Sequence, residues 1–209
     1  MEQKVYNCST AVTTIDSVFY NTIVDRIKDK SKLHIIPNFV DTGLYHSGVS
    51  TDILDKELFP ENERIKLLYA GNIGYAQDWE PLVRLAEKTK NLPVDYFLIG
   101  MGVMKEWIIE KKESLRLDNL HILDYQPRSL MPAILAYSDL QYIFMTPEQE
   151  GMGFPSKVYT IMACGKPLLV CSGEHTPIVS FLKPIGCAKL VTDHNLERKT
   201  DAMAIKYDT

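Results

Sequence analysis

The chain has 209 residues, of which 45% are hydrophobic and 24% are charged, a composition typical of a globular protein with a substantial core. Its formal net charge of −4 argues against a general nucleic-acid-binding protein, because such proteins usually present a basic face. No apolar run is long enough to span a bilayer. The cysteines are scattered among apolar residues and are interpreted as reduced core thiols of a cytoplasmic protein: Cys8, Cys164, Cys171 and Cys187.

The first elements of the chain are short. Residues 1–10 are polar and give no clear pattern, whereas residues 11–14 form a β-prone run. Asp16 or Ser17 can cap a helix of about thirteen residues, because short polar side chains accept hydrogen bonds from the first free amides of a helix. A short strand is then predicted over residues 33–36.

A strand, a glycine loop and a helix follow a polar stretch. Residues 47–63 are rich in acids and predict a surface connection. Residues 65–70 (IKLLYA) form an apolar run of strand length, and the loop GNIGYAQD leads from it into a helix predicted over residues 79–90. Because ligands collect at the carboxyl ends of parallel strands, this loop is a candidate wall of a binding site.

Two further units of this kind come next. Strands are predicted over residues 94–99 and 120–123, and helices over residues 103–117 and from about residue 130 to residue 137. Each strand ends in a short loop that leads into its helix. Regular alternation of strands and helices is typical of a parallel sheet with crossover helices.

The most informative stretch begins with a strand predicted over residues 140–145. A loop with Gly151 and Gly153 follows, where the backbone can approach a ligand closely. Pro155 suits the first turn of a helix, because its missing N–H would have no partner there. A buried strand is predicted again over residues 168–171, which completes a right-handed unit with parallel strands.

The helix between these strands carries two candidate anion-binding groups. Ser156 and Lys157 lie in its first turn, where free backbone amides also attract negative charge. Spacing of three and four residues predicts one buried face, and that face contains Val158, Ile161 and Met162. The sequence therefore predicts an α/β fold, a Rossmann-like three-layer α/β/α sandwich with about six parallel strands.

The segment PSKVYTIMACGKP, residues 155–167, resembles a known signature. It is similar to the form Pro-Ser-Lys-x-x-Glu-x-Met-Ala-x-Gly-x-Pro, found in the C-terminal, nucleotide-sugar-binding half of GT-B glycosyltransferases of family 4 (group 1). Thr160 occupies the glutamate position, and Met152 occupies the earlier acidic position of that family. The loop GNIGYAQ likewise matches a subgroup that carries Gly-Asn-x-Gly-x-x-Gln.

The resemblance implies a function and a role for each residue. The expected activity is retaining transfer of a sugar from a nucleotide diphosphate sugar of the uridine class, without a bound metal. Lys157 is expected to be catalytic, by stabilising the diphosphate as it leaves. The other residues are expected to contact the donor: Gly71, Asn72, Gly74, Gln77, Gly153, Pro155 and Ser156 around the diphosphate, Thr160 at the ribose, and Gly100, Gly102 and Tyr125 around the base.

The resemblance also implies a domain division. The segment KLHIIPNFVDTGLY resembles the connection between the two halves of such enzymes. Residues 1–36 are therefore expected to be a remnant of an N-terminal domain, residues 37–192 the nucleotide-sugar-binding domain, and residues 193–209 a tail. The expected partners are a nucleotide sugar, a saccharide or lipid-linked acceptor in cell-surface polysaccharide synthesis, and the missing N-terminal half, with no nucleic acid. A full-length protein would work in the cytoplasm or at the inner membrane face.

Two alternatives remain open on the sequence alone. The chain can be a nucleotide-sugar-binding module without turnover, since the ribose glutamate is replaced and an acceptor-binding half appears absent. It can also be a Rossmann-type dehydrogenase domain that binds a nicotinamide dinucleotide, since Gly100-x-Gly102 follows a strand. Against the second alternative, the position of a third glycine is Lys105.

Overall fold

The computed structural model describes residues 2–150 and 154–203, and the chain divides into two compact units, residues 1–40 and 41–209. The division lies four residues beyond the predicted boundary at residue 36. Within the described residues, no helix combines the length and the apolar character needed to cross a membrane.

The first unit is a small βαβ motif preceded by a helix. Strands β1 and β2 pair in parallel, with Val12 opposite Leu33. Asp16 caps helix α2, because its Oδ1 accepts a hydrogen bond of 2.8 Å from the Phe19 amide. The elements of this unit are α1 (Glu2–Cys8), β1 (Val12–Thr14), α2 (Ser17–Ile23) and β2 (Leu33–Ile35).

The predicted length of helix α2 and the predicted core position of two of the cysteines are wrong. Helix α2 has seven residues instead of about thirteen, because the chain tightens into a 3-10 turn at Val24–Arg26. Helix α1 was not predicted, since none of its residues is buried and it therefore has no apolar periodicity to recognise. Cys8 ends this helix and is exposed, so it is not a core thiol, and Cys187 is only half-buried.

The second unit alternates strands and helices from residue 65 to residue 203. Each strand predicted over residues 65–171 is present within one residue of its expected bounds, the last strand begins two residues later than the expected residue 186, and the helices are shorter by a few residues at their ends. The elements are β3 (Ile65–Ala70), α3 (Trp79–Lys88), β4 (Val94–Ile99), α4 (Lys105–Leu115), β5 (Leu120–Leu123), α5 (Met131–Tyr137), β6 (Leu140–Phe144), α6 (Lys157–Ala163), β7 (Leu168–Cys171), α7 (Pro177–Leu182), β8 (Ala188–Val191) and α8 (Leu196–Met203).

These strands form one six-stranded parallel sheet in the order β5-β4-β3-β6-β7-β8. The predicted α/β, Rossmann-like fold class is therefore confirmed. The chain order runs outward from β3 in one direction and outward from β6 in the other, so the topology reverses between these two strands. In open α/β sheets, ligands bind outside the carboxyl ends of the strands at such a reversal. The fold thus directs attention to the loops that follow β3 and β6.

The sheet is buried on both faces. Successive residues of β3 point to opposite sides: Tyr69 joins the cluster under α3, α4 and α8, while Leu68 joins the cluster under α5. On the second face, Val158 and Ile161 of α6 pack against Ile143 of β6, so two of the three residues predicted for the buried face of α6 are fully buried. Strands covered on both sides in this way read as continuous apolar runs.

The connection that precedes β3 is more buried than predicted. The stretch 47–63 was expected to lie on the surface, but Leu54 and Phe59 within it are buried. Phe59 contacts the ring of Phe97 at a centroid distance of 6.2 Å and that of Tyr137 edge-on at 5.4 Å. Leu54 and Phe59 each stand beside an exposed apolar residue, Ile53 and Leu58, in an otherwise acidic stretch, which explains the error.

Part of the predicted tail, residues 196–203, forms helix α8. Helix α8 packs on α3, and its Met203 is buried in the core, with Sδ 3.2 Å from the Sγ of Cys171. Lys199 of the same helix is 7% exposed and forms an ion pair of 2.8 Å with Asp78. One buried methionine and one buried ion pair therefore fix this helix to the second unit.

Candidate functional site

A cavity of about 350 Å³ lies at the topological reversal of the sheet. Its wall combines the end of β3 with the loop after it, the end of β6, and the start of α6. Residues expected from the sequence line it together with apolar core residues. The polar lining residues and those of the predicted site include Tyr69, Gln77, Gln149, Pro155, Ser156 and Lys157.

Lys157 points into this crevice. Its Nζ donates a hydrogen bond of 3.2 Å to the carbonyl of Ala70, the last residue of β3, and lies 3.7 Å from the ring centroid of Tyr69. No carboxylate among the described residues pairs with it. Burial lowers the pKa of the Lys157 ammonium from 10.5 to about 8. The crevice therefore contains a desolvated cation without a counter-ion.

The loop after β3 lies against this lysine. A Cβ on Gly71 would stand 3.0 Å from the Nζ of Lys157 and 3.5 Å from the hydroxyl of Tyr69, and φ at Gly71 is +150°. Glycine is required here because a side chain would displace the ammonium. The loop backbone and the lysine therefore reach the same point, although 86 residues separate Gly71 from Lys157 in the sequence.

Asn72, Gly74 and Gln77 complete the loop as neutral groups. The Oε1 of Gln77 accepts a hydrogen bond of 3.1 Å from the Gly74 amide, which leaves its Nε2 as a donor beside the cavity. The carbonyl of Asn72 accepts a hydrogen bond of 2.7 Å from Tyr69, and that of Gly74 accepts one of 2.8 Å from the indole of Trp79. Hydrogen bonds with Tyr69 and Trp79 outside the loop, and with Gln77 within it, therefore hold the loop backbone in place.

Gly100 and Gly102 join the second loop to the first. A Cβ on Gly100 would clash with the carbonyl oxygen of Gly71, and one on Gly102 would clash with the backbone of Ile73. The Ile73 amide donates to Met101 at 2.8 Å, which fastens the two loops together. The described structure thus gives these glycines a role in packing two backbones, and their expected place at the base stays a prediction.

The next two predicted site residues, Tyr125 and Thr160, lie in the loop after β5 and on α6. Tyr125 follows β5 and is 58% exposed at the carboxyl edge of the sheet. Thr160 lies half-buried in the second turn of α6. Neither side chain has a hydrogen-bond partner within residues 2–150 and 154–203, so both hydroxyls are available to a ligand.

The start of α6 presents free donors. The amides of Val158 and Tyr159 close onto the carbonyls of Pro155 and Ser156, at 3.1 and 3.2 Å. The amides of Ser156 and Lys157 have no acceptor among the described residues, and the Ser156 side chain makes no capping bond. Gly153, the remaining residue of the predicted cradle, lies outside the described residues.

Sequence reasoning missed two aromatic residues beneath the site, Tyr69 and Trp79. An aromatic residue at the end of a buried strand, next to a glycine loop, was the available signal for Tyr69.

Sequence reasoning also left Glu150 without a role. Its Oε1 accepts a hydrogen bond of 2.5 Å from the Gly173 amide, and its Oε2 lies 3.8 Å from the Nε2 of His194. Glu150 therefore fastens the loop after β6 to the loop after β7.

Comparisons with known proteins identify the family of the chain. Residues 50–197 match the family described as glycosyl transferases group 1. The chain is 23% identical over 170 residues to WcaI of Escherichia coli (strain K12), named as a candidate glycosyl transferase of colanic acid biosynthesis. That match covers 80% of this chain and 42% of WcaI, so the chain spans about two-fifths of the length of this relative.

Solved structures share the fold at low sequence identity. WaaG, a glycosyltransferase involved in lipopolysaccharide biosynthesis, matches with a TM-score of 0.73 and 12% identity over 97% of this chain and 55% of WaaG. HepE of Anabaena in complex with UDP matches with a TM-score of 0.72 and 14% identity, over 92% of this chain and 52% of HepE. At these identities the likeness concerns the fold.

Proposed function

This chain belongs to the family of group 1 glycosyl transferases, and from this premise we propose that the crevice between β3 and β6 binds the donor, a nucleotide diphosphate sugar. The observation that carries the proposal is the unpaired, desolvated ammonium of Lys157 at the topological reversal of the sheet. Such a cation favours a ligand that brings negative charge into the same low-dielectric space.

The proposed chemistry follows from where the donors lie. Transfer breaks the bond between the anomeric carbon of the sugar and a diphosphate oxygen, and negative charge develops on the departing diphosphate. Lys157 and the amides of Ser156 and Lys157 would donate to that charge, which is the usual way in which preorganised donors lower a barrier. We propose that these groups, and not a metal ion, stabilise the leaving group, and that the sugar keeps its anomeric configuration.

The remaining predicted residues are proposed to position the nucleoside. Thr160 would donate to a ribose hydroxyl, and the exposed ring of Tyr125 would border the base. The fold shared with HepE, which was solved with UDP, supports uridine as the base. A tyrosine presents a large apolar face with one polar end, which suits a base that is stacked on one side and solvated on the other.

The acceptor and the place of action are also proposals. WcaI is named for colanic acid biosynthesis and WaaG for lipopolysaccharide biosynthesis, which supports a saccharide or a lipid-linked saccharide acceptor. Because the chain spans only part of these proteins, we propose that turnover needs an acceptor-binding half that these 209 residues do not supply, and that the donor domain alone is inactive. The proposed location is the cytoplasm, with contact to the inner membrane face through the longer protein.

Calorimetric titration of the chain with UDP, GDP and NAD tests the donor assignment. The proposal expects heat and a saturating isotherm with UDP, weaker binding of GDP, and none of NAD. A folded sample that binds neither nucleoside diphosphate would refute it, while binding of NAD alone would restore the dehydrogenase alternative, which the family match does not favour. Donor hydrolysis or transfer by a longer chain would separate an enzyme from a module that only binds.

A further inference from the structure

Tyr69 lies where the two halves of the proposed site meet. It is the fifth residue of β3 and is 3% exposed, and its ring is fixed by Trp79 edge-on at 5.0 Å and by Tyr142 at 5.4 Å. A ring held on two sides in a packed core has little rotamer freedom. Groups that contact this ring are therefore held in a fixed position.

The face of this ring supports the ammonium of Lys157. The Nζ stands 3.7 Å from the ring centroid, well inside the range of a cation–π interaction. Together with the Ala70 carbonyl, the ring accounts for two of the three directions in which a lysine ammonium can interact. The third N–H remains for the cavity. Without the ring, a flexible four-carbon chain would let the ammonium return to solvent.

The hydroxyl of the same residue holds the glycine loop. It donates a hydrogen bond of 2.7 Å to the Asn72 carbonyl, and burial raises the pKa of the Tyr69 phenol above its usual range, so it remains a donor at neutral pH. The C=O and N–H of a trans peptide point in opposite directions. Holding the Asn72 carbonyl inward therefore turns the Ile73 amide across to Met101, where it donates at 2.8 Å.

We propose that Tyr69 is a positioning residue that couples the two sides of the site, because its ring places the ammonium of Lys157 and its hydroxyl places the backbone of the loop 71–74. The inference rests on the proposed function, in that both placed groups would receive the donor diphosphate. It assigns Tyr69 no contact with the diphosphate itself. Substitutions should therefore separate the effect of the ring on Lys157 from the effect of the hydroxyl on the loop.

Two substitutions make that separation. Tyr69→Phe keeps the ring and removes the hydroxyl, so the loop loses its anchor while the lysine keeps its support. Tyr69→Leu removes both. Tyr142→Phe is the matched control, because Tyr142 belongs to the same aromatic cluster and its buried hydroxyl has no partner among the described residues. Loss of an unpaired hydroxyl leaves no acceptor unsatisfied.

The first measurement needs no nucleotide. The proton titration of Lys157, followed by NMR in the ligand-free protein with isotopically labelled lysine, reports the surroundings of the ammonium. We expect the wild-type midpoint in Tyr69→Phe and in Tyr142→Phe. In Tyr69→Leu we expect a rise toward the ordinary lysine value, because the released ammonium regains its hydration; a fall would mean that the ammonium stays in place, and would contradict positioning by the ring. Amide exchange of Ile73 and Gly74 should accelerate in both Tyr69 variants and stay unchanged in the control.

The second measurement is UDP affinity by calorimetry. Tyr69→Phe should weaken binding about three- to tenfold, the usual effect of one lost neutral hydrogen bond, and Tyr69→Leu should weaken it by tenfold or more. Unchanged affinity, titration and loop exchange in Tyr69→Phe and Tyr69→Leu would overturn the inference. If Tyr69→Leu does not fold, unchanged loop exchange in Tyr69→Phe overturns it. If wild-type protein binds no UDP, the proposed function fails, and the titration of Lys157 alone decides whether Tyr69 positions it.

Discussion

Replacement of Lys157 by methionine should make the protein more stable and its nucleotide binding weaker. Methionine keeps most of the apolar stem of lysine, is one atom shorter and carries no charge. Burial lowers the pKa of this group from 10.5 to about 8. A shift of this size corresponds to a cost on the order of 3 kcal/mol for keeping the lysine charged at neutral pH.

Two contacts reduce that cost. The interaction with the Tyr69 ring is worth roughly 0.5–2 kcal/mol. The hydrogen bond to the Ala70 carbonyl contributes roughly 1 kcal/mol more. We therefore expect Lys157→Met to raise the free energy of unfolding by about 1 kcal/mol, or the melting temperature by roughly 2–4 °C. Loss of one charge-assisted contact of about 1.5–3 kcal/mol should weaken UDP binding roughly ten- to hundredfold.

The pH dependence has a definite sign. Between pH 8 and 10.5 the folded protein has released the Lys157 proton while the unfolded chain still holds it, so the stability of the wild type rises with pH in this window. The wild type should therefore gain stability relative to Lys157→Met as pH rises through that range, until it is the more stable protein. Thermal denaturation at several pH values and calorimetry with UDP measure both effects, with Lys189→Met at an exposed position of β8 as the control. A variant that melts below the control and binds UDP like the wild type would refute the reasoning.

The other predictions concern the loops, the last helix and the ribose contact. Gly100→Ala should destabilise the second unit by more than about 2 kcal/mol in denaturant titration, because its Cβ would meet the Gly71 carbonyl, a backbone atom that cannot move aside; an unchanged midpoint would contradict this packing. Asp78→Ala leaves the buried ammonium of Lys199 unpaired and should cost about 3 kcal/mol in the same assay, whereas a loss below about 0.5 kcal/mol would mean that the pair is solvated. Thr160→Glu restores the acid of the family signature and should tighten UDP binding about tenfold in calorimetry, through a charge-assisted contact with the ribose; weaker binding would place the ribose elsewhere.

The fold could be predicted because every strand of the sheet carries its own local signal. Residues 65–70 and 94–99 are largely apolar runs, each with one charged residue near its start, and each is followed by a glycine and then by a helical pattern. Both faces of the sheet are covered, so such runs do not depend on distant partners for recognition. Helix α1 and the buried residue Phe59 had no periodic pattern, and no local reading could place them.

The candidate site was predicted in part. Glycine and proline residues in the sequence indicated both the loop at Gly71 and the helix start at Ser156 and Lys157. Their meeting was not visible, since it depends on the reversal of strand order between β3 and β6. The contacts of Tyr69 with both sides follow from that reversal, because only then does the α6 lysine lie above a residue of β3.

A comparison of buried lysines indicates what the crevice is built to receive. Lys199 pairs with Asp78 and Lys105 with Asp124, so in both cases a carboxylate balances the charge. Lys66 pairs with no carboxylate in the described part of the chain. Its Nζ donates to the two carbonyls of Asn62 and Arg64, at 2.7 and 2.8 Å, and a tyrosine ring lies nearby.

Lys157 differs from all of these, because one carbonyl and one ring leave an N–H directed at a cavity of about 350 Å³. A protein retains an unbalanced, desolvated cation at a cost in stability, and strained or destabilised groups of this kind cluster at functional sites. The missing part of the balance is negative charge from outside the chain. In the proposed function a diphosphate would supply it, and the two free amides at the start of α6 would donate to its remaining oxygens.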